Sequence, residues 1–252
     1  MPVGPDSAYQ LNAELVGRFW DERTVAAMIA SPSNPTGTVI APTELAAVAA
    51  AVEGRGGALI SDEIYHGLVY PAPRAEDGMR AISALEVSDR AFVINSFSKY
   101  FQMTGWRLGW LVVPEGYRRA VEKLAQNLFI AASTPAQYAA LAAFEPGTIA
   151  ILEQRRAEMQ RRRDYLLPAL RELGFDIPVT PVGAFYIYAD CSRFSSDSQT
   201  FSRDLLEQAG VAVTPGADFG AHQADRYLRF AYTTDMAQLE EGIARLRRFL
   251  LL

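Results

Sequence analysis

Short apolar segments alternate with helical ones along the first half of this chain, and this alternation limits most strongly the folds that are open to it. Apolar runs at 25–30, 58–60 and 92–94 predict buried strands. Between the first two lies an alanine-rich helix that starts at Pro42 and ends at the glycines after position 53. Strands separated by helices favour a parallel sheet with right-handed crossovers. The predicted fold class is therefore α/β.

Polar residues follow each of the three predicted strands. Asn34 lies in a turn after the first strand, Asp62 ends the second, and Ser96 follows the third. Ligands of such sheets bind beyond the carboxyl ends of the strands. We therefore expect these three residues to lie at one ligand site.

The second half of the chain predicts a different arrangement. A long helix runs from about 148 to 173 and stops at Gly174. It is followed by strand patterns at 183–188, 211–213 and 227–230, with helices near 199–209 and 235–250. We predict a large domain over residues 1–147, and a linking helix with a smaller α+β domain over residues 148–252.

Lysine is nearly absent from the chain, which has two lysines, Lys99 and Lys123, and twenty-two arginines. Lys99 follows a predicted strand, and arginine cannot act as an amine nucleophile at ordinary pH. One interpretation is a Schiff-base lysine at the strand end. The other is that an arginine-rich composition left few lysines anywhere.

Two hydroxyls and a guanidinium surround Lys99 in the sequence. Ser96 and Ser98 precede it, and Arg107 follows in Gly105-Trp106-Arg107. Hydroxyl donors with a planar cationic fork suit a phosphate, and an uncharged amine suits an aldehyde. The segment therefore favours a ligand that carries both groups.

Five motifs together resemble the class I/II aminotransferases, which are pyridoxal-phosphate enzymes of fold type I. The motifs are Asn34-Pro35-Thr36-Gly37, Asp62-Glu63-Ile64-Tyr65, Ser96-Phe97-Ser98-Lys99, Gly105-Trp106-Arg107 and Tyr227-Leu228-Arg229-Phe230. The resemblance implies an aspartate-aminotransferase-like fold, with a mostly parallel sheet flanked by helices and a smaller C-terminal α+β domain. It also implies the cofactor pyridoxal 5'-phosphate, amino acid and 2-oxo acid substrates, and a homodimer.

The resemblance assigns catalytic roles to Lys99, Asp62 and Tyr65. Lys99 would bond to the cofactor aldehyde and move a proton at the substrate Cα. Asp62 would face the pyridine nitrogen and keep it protonated. Tyr65 and Asn34 would donate hydrogen bonds to the cofactor's phenolate oxygen.

The same resemblance implies residues that bind the cofactor phosphate and residues that bind the substrate carboxylate. Ser96, Ser98 and Arg107 would hold the cofactor phosphate. Arg229 would bind the substrate carboxylate bidentately, and Asn34 would assist it.

Two histidines and an aromatic pair stay outside these roles. His66 is expected to be an ordinary satisfied polar group, and His222 to lie in a surface loop. Phe185-Tyr186 matches a family string near the substrate carboxylate, but aromatics on a strand are core residues by default.

The resemblance also implies that the first strands of the large domain are missing. A family member carries a phosphate-binding glycine segment and a ring-stacking aromatic that cannot be located before Asn34. The chain then resembles an N-terminally truncated aminotransferase with two unpaired sheet edges. Its function is predicted as transamination by ping-pong turnover. The alternatives are an inactive or weakly cofactor-binding fragment that acts only in assembly, and a lyase or racemase on the same fold.

Composition limits the partners and the compartment. A formal charge of −5 gives no basic field for nucleic acid. The single cysteine, Cys191, suits a reducing compartment. No apolar stretch reaches the length of about 18 residues that spans a bilayer, and the N-terminus lacks the layout of a signal peptide. We expect a cytoplasmic protein without a membrane partner or a metal ion.

Overall fold

A computed structural model describes residues 1–70 and 81–250. The N-terminal part of the chain, which is the larger part, contains the elements α1 (Ala13–Phe19), β1 (Ala26–Ala30), α2 (Pro42–Glu53), β2 (Ala58–Asp62), β3 (Phe92–Ser96), β4 (Gly109–Val112), α3 (Arg118–Leu128) and α4 (Thr134–Ala142). It is followed by α5 (Pro146–Leu173), β5 (Tyr186–Asp190), α6 (Ser198–Ala209), β6 (Thr214–Pro215), β7 (Tyr227–Ala231) and α7 (Met236–Leu250). The α/β class and the fold-type-I architecture are confirmed.

The larger sheet has the strand order β1-β2-β3-β4. β1, β2 and β3 are parallel, and β4 runs antiparallel to β3. Ala30 is paired with Asp62, and Asp62 with Ile94, so the three parallel strands end close to one another. The mostly parallel sheet therefore brings its polar strand ends to one edge.

One face of this sheet is covered by α1 and α2. Ile29 and Leu59 on the sheet and Val48 and Val52 on α2 are buried in a single core cluster. Burial of side chains of this size contributes about 1.5–3 kcal/mol each. Asn12 caps α1, since its Oδ1 accepts the Leu15 N–H at 2.8 Å.

The opposite face and both edges of the sheet are exposed in the described part of the chain. Met28 is 68 % exposed, and Ile94 and Leu111 are also exposed. β1 and β4 each pair with one strand and form the two edges. α3 buries none of its side chains. The two unpaired edges agree with the arrangement that the sequence implies.

The smaller sheet has the order β5-β7-β6 and is antiparallel. Leu170 of α5, Ile187 of β5, Leu228 of β7 and Leu246 of α7 are buried together in its core. These contacts form a hydrophobic core separate from that of the larger sheet.

The prediction of a strand at 211–213 is wrong. The strand that pairs with β7 is β6, and its pairing begins where Thr214 lies opposite Arg229. The chain leaves α6 through Gly210 in the left-handed conformation (φ 64°) and crosses from the helix to the sheet before pairing starts. Residues 211–213 form this crossing.

Two adjacent residues near the N-terminus contact different parts of the molecule. The Tyr9 ring lies 6.3 Å from each of the rings of Tyr188 and Tyr227, which belong to the smaller sheet. The Gln10 side-chain amide donates to the Thr38 carbonyl at 2.8 Å, on the side of the larger sheet.

A separation of the chain into two domains at 147/148 stays a prediction. The helix α5, which would link them, begins at Pro146.

Cys191 lies fully buried in the smaller core. Burial raises the pKa of its thiol to about 12, so it remains protonated at neutral pH.

Within the described ranges, the helices are each too short or too polar to cross a bilayer. Three or more His, Cys, Asp or Glu side chains do not come together as a metal site among those same residues.

We predict that the protein self-associates through the exposed face of the larger sheet. Met28→Glu should reduce the average mass measured by light scattering, because a charge inside an apolar contact is costly. Leu206→Glu is the control, since Leu206 is 54 % exposed on α6 of the smaller part. A wild-type protein that is monomeric at all concentrations would contradict this prediction.

Candidate active site

Arg229 lies on β7 and is held from several sides. Its guanidinium carbon lies 4.3 Å from the Tyr186 ring centroid and 4.7 Å from that of Phe219. The guanidinium donates to Asn34 Oδ1 at 2.7 Å and to Thr214 Oγ1 at 3.2 Å. Stacking on aromatic faces and fixed hydrogen bonds restrict its rotation. Arg229 is therefore a rigid, oriented cation.

The Arg229 guanidinium keeps binding capacity. Its Nε is buried and has no hydrogen-bond partner. Carboxylates of the described residues form no salt bridge with it. A buried donor without a partner is costly, and a bound ligand is one explanation for it. The Arg229 guanidinium can donate hydrogen bonds to the carboxylate of a ligand.

A line of aromatic contacts leads from Arg229 to Lys99. The hydroxyl groups of Tyr186 and Tyr65 are 2.9 Å apart and share a hydrogen bond. Lys99 Nζ lies 5.5 Å from the Tyr65 ring centroid and 5.7 Å from that of Phe185. Arg229 and Lys99 therefore border the same aromatic group of side chains.

The Tyr65 phenol stays protonated. Burial raises its pKa well above the usual value, and the hydrogen bond with Tyr186 raises it further. The nearby Arg229 charge opposes this shift only in part. Tyr65 can therefore donate a hydrogen bond throughout the physiological pH range.

Asp62 is the last residue of β2 and is half-buried. Its Oδ1 accepts the backbone N–H of Ile64 at 3.0 Å, which closes a tight turn after the strand. Tyr65 lies in that turn, so the strand end presents a carboxylate and a phenol three residues apart.

The residues predicted to bind phosphate lie around one loop after β3. The Ser96 hydroxyl donates to the Leu108 carbonyl at 3.2 Å and accepts the Ser98 N–H at 3.0 Å. Thr104 Oγ1 donates to the Ser98 carbonyl at 2.5 Å, and Arg107 donates to the Thr104 carbonyl at 3.0 Å. The loop unites these side chains, and Arg107 is exposed at its end. Their role toward a phosphate stays a prediction.

Two cavities border the residues of the candidate active site. One of about 760 Å³ lies beside Asn34, Phe219 and Tyr227. Another of about 290 Å³ lies beside Lys99 and Phe185. Small-molecule sites have volumes of about 300–1,000 Å³.

The donor set fits pyridoxal phosphate. An amine (Lys99), a carboxylate (Asp62) and a protonated phenol (Tyr65) lie within one strand-end region, and the Arg229 Nε is an unsatisfied buried donor near them. These groups match the cofactor's aldehyde, ring nitrogen and phenolate, and the substrate's carboxylate.

Sequence reasoning misses three contributors to this site. Tyr186 fits the pattern of a core residue, although its family string is a usable signal. Phe219 and Thr214, which contact Arg229, carry no motif.

A profile of the family described as "Aminotransferase class I and II" matches residues 9–246. The chain belongs to this family. It is 42 % identical over 251 residues to the valine–pyruvate aminotransferase of Mycobacterium tuberculosis, covering 99 % of this chain and 63 % of that relative. A probable aspartate/prephenate aminotransferase of Aquifex aeolicus is 37 % identical over 255 residues, with 99 % and 63 % covered.

The solved structures agree with the family membership. The crystal structure of an aminotransferase from Mycobacterium tuberculosis matches with a TM-score of 0.93 and 42 % identity, covering 100 % of this chain and 63 % of that one. A putative aminotransferase from Silicibacter pomeroyi matches with a TM-score of 0.90 and 43 % identity, covering 99 % and 64 %. This aminotransferase-family chain thus spans less than two thirds of the length of these relatives.

We predict that Tyr186 has separable roles in stability. Tyr186→Phe should lower the free energy of unfolding by about 0.5–1.5 kcal/mol, because Tyr65 loses its hydroxyl partner. Tyr186→Ala should lower it by about 3–5 kcal/mol, because the ring beneath Arg229 is lost as well. Urea denaturation measures both values. Equal losses in the two variants would show that the ring contributes nothing.

Proposed function

We propose that this aminotransferase-family chain catalyses transamination between an L-amino acid and a 2-oxo acid, with pyridoxal phosphate as cofactor. The proposal is carried by one observation: the oriented Arg229 guanidinium and the Lys99 amine border the same group of aromatic side chains. An amino acid carries its carboxylate directly on the reacting Cα. A cation and an amine arranged in this way can address both.

The proton at the substrate Cα is moved by Lys99. The bound cofactor supplies a ring that accepts the electron pair left when this proton is removed. Asp62, at the end of β2, would face the ring nitrogen and keep it protonated. Tyr65, protonated because its pKa is raised, would donate a hydrogen bond to the phenolate oxygen.

The substrate carboxylate is bound by Arg229. Two parallel N–H groups of a guanidinium match the two oxygens of a carboxylate. Asn34 and the two flanking rings keep the guanidinium oriented, so less entropy is lost when the substrate binds. Valine and pyruvate, named for the Mycobacterium tuberculosis relative, are the first substrate pair to test.

A second candidate function is assembly without turnover. The exposed apolar face of the larger sheet, around Met28 and Ile94, and the open edges β1 and β4 favour it. In that case the chain binds the cofactor weakly and acts together with a second polypeptide. Cofactor binding without amino-group transfer would support this function over transamination.

We predict that borohydride attaches pyridoxal phosphate covalently to Lys99. Lys99 is one of two lysines, and the other, Lys123, lies on α3. Peptide mapping by mass spectrometry locates the label. Lys99→Ala should abolish transamination, a loss of several orders of magnitude, while leaving weak noncovalent cofactor binding.

Lys123→Ala serves as the matched control and should keep both the label and the activity. A label on Lys123, or on neither lysine, would disprove the assignment of Lys99.

We predict that Arg229→Lys weakens amino-acid binding by about 10- to 100-fold and cofactor binding much less. A lysine ammonium is a point charge and cannot reproduce the bidentate fork. The KM for amino acids and the Kd for the cofactor are the quantities to compare. Amines without a carboxylate provide the control, because their reaction should not depend on the fork. An equal loss for amines and amino acids would contradict the role of Arg229.

A further inference from the structure

The side chain of Glu63 is an almost completely buried carboxylate, only 3 % exposed. Its Oε1 accepts hydrogen bonds from Ser61 Oγ at 3.1 Å, from Ser83 Oγ at 3.2 Å and from the Ala84 N–H at 2.7 Å. Its Oε2 lies 3.1 Å from Nδ1 of His66. Both oxygens are therefore occupied, and the residue ties the end of β2 and the turn after it to the segment that contains Ser83 and Ala84.

The surroundings of Glu63 keep it charged. Burial alone would raise the pKa of its carboxyl, but the hydrogen bonds from His66, Ala84 and Ser83 lower the pKa below its usual value. The Glu63 carboxylate in turn raises the pKa of His66, against the opposing effect of burial. A buried carboxylate without such partners would cost several kcal/mol. The cluster is thus a closed polar network that depends on the charge of Glu63.

Glu63 is placed between two candidate site residues. Its N–H donates to the Ile94 carbonyl at 2.8 Å and continues the pairing of β2 with β3. Its carbonyl accepts the His66 N–H at 2.8 Å and closes the turn that contains Tyr65. Successive side chains of a strand point to opposite faces, so Glu63 and Ser61 lie on one face and Asp62 on the other.

We propose that Glu63 is a positioning residue for the candidate active site. Its carboxylate anchors the turn on the buried face, and this fixes the direction of the Asp62 carboxylate on the other face and of the Tyr65 phenol within the turn. The inference rests on the proposed function, because Asp62 and Tyr65 are the groups that would hold the cofactor ring. Glu63 itself touches neither cofactor nor substrate.

The charge of Glu63 can be removed while its shape is kept. Glu63→Gln retains one acceptor oxygen for the donors at Ser61, Ser83 and Ala84 but replaces the charged acceptor of the His66 hydrogen bond by a neutral amide. Hydrogen bonds to charged groups contribute enough that such a loss corresponds to about tenfold or more in an equilibrium constant. Glu53→Gln is the matched control, since Glu53 also accepts a serine hydroxyl bond, from Ser88, at the end of α2.

The first experiment measures the Kd for pyridoxal phosphate by absorbance titration of the full chain. We expect Glu63→Gln to raise the Kd about tenfold or more, and Glu53→Gln to change it less than twofold. In the Asp62→Asn background, Glu63→Gln should raise the Kd less than threefold, because residues that act as a unit are not additive. The proposal would be overturned if Glu63→Gln raised the Kd equally in the wild-type and Asp62→Asn backgrounds. It would also be overturned if Glu63→Gln and Glu53→Gln raised the Kd equally.

The second experiment does not depend on the cofactor. Hydrogen exchange of the Ile64 and His66 amides should be at least about tenfold faster in Glu63→Gln than in wild type, and unchanged in Glu53→Gln. NMR titration should show the pKa of His66 falling in Glu63→Gln. His66 and His222 are the two histidines of the chain, and His222→Gln assigns their signals.

These measurements separate the two proposals. A wild-type chain that binds no pyridoxal phosphate would reject the proposed function, while faster exchange at Ile64 and His66 would still support the anchoring of the turn. Unchanged exchange in Glu63→Gln would overturn the positioning role even if the cofactor binds. If Glu63→Gln does not fold, His66→Gln removes the imidazole donor of the same hydrogen bond from the partly exposed side, with the same expected direction of change.

Discussion

The parallel pairing of β1, β2 and β3 is the constraint on which the candidate site depends. The register that places Ala30 opposite Asp62, and Asp62 opposite Ile94, makes the strands end together. Side chains that are far apart in sequence can then act at one edge of the sheet. Arg229 reaches this edge from the other sheet and is hydrogen-bonded to Asn34 across 195 residues. The site is thus shared between two separately packed cores.

The architecture was predictable because the alternation of apolar and polar residues is a local property. The helix that begins at Pro42 and the strand at Ala58–Asp62 carry clear start and stop signals. The meeting of the strand ends at one edge of the sheet followed from chain order and sheet geometry alone. Family membership followed from five motifs in the right order, which no single motif could have established.

Packing relations between distant segments were not predictable in this way. Tyr186 alternates along a strand like a core residue, and only the fold places its ring under Arg229 and its hydroxyl against Tyr65. Burial of Glu63 requires donors from Ser83 and Ala84, which come from a later segment. The position of β6 likewise depends on how far the chain travels from α6 before it meets β7.

Tyr9 and Gln10 give the molecule a mechanical property that the individual sheets lack. Tyr9 inserts among rings of the smaller sheet, and the next residue is bonded to the loop after β1. Together with the Arg229–Asn34 and Tyr65–Tyr186 hydrogen bonds, these contacts connect the two sheets at several points and resist rotation of one against the other. The relative orientation of the two sheets is therefore already restricted before a ligand contacts both of them. Fewer rigid-body degrees of freedom are then lost when that ligand binds.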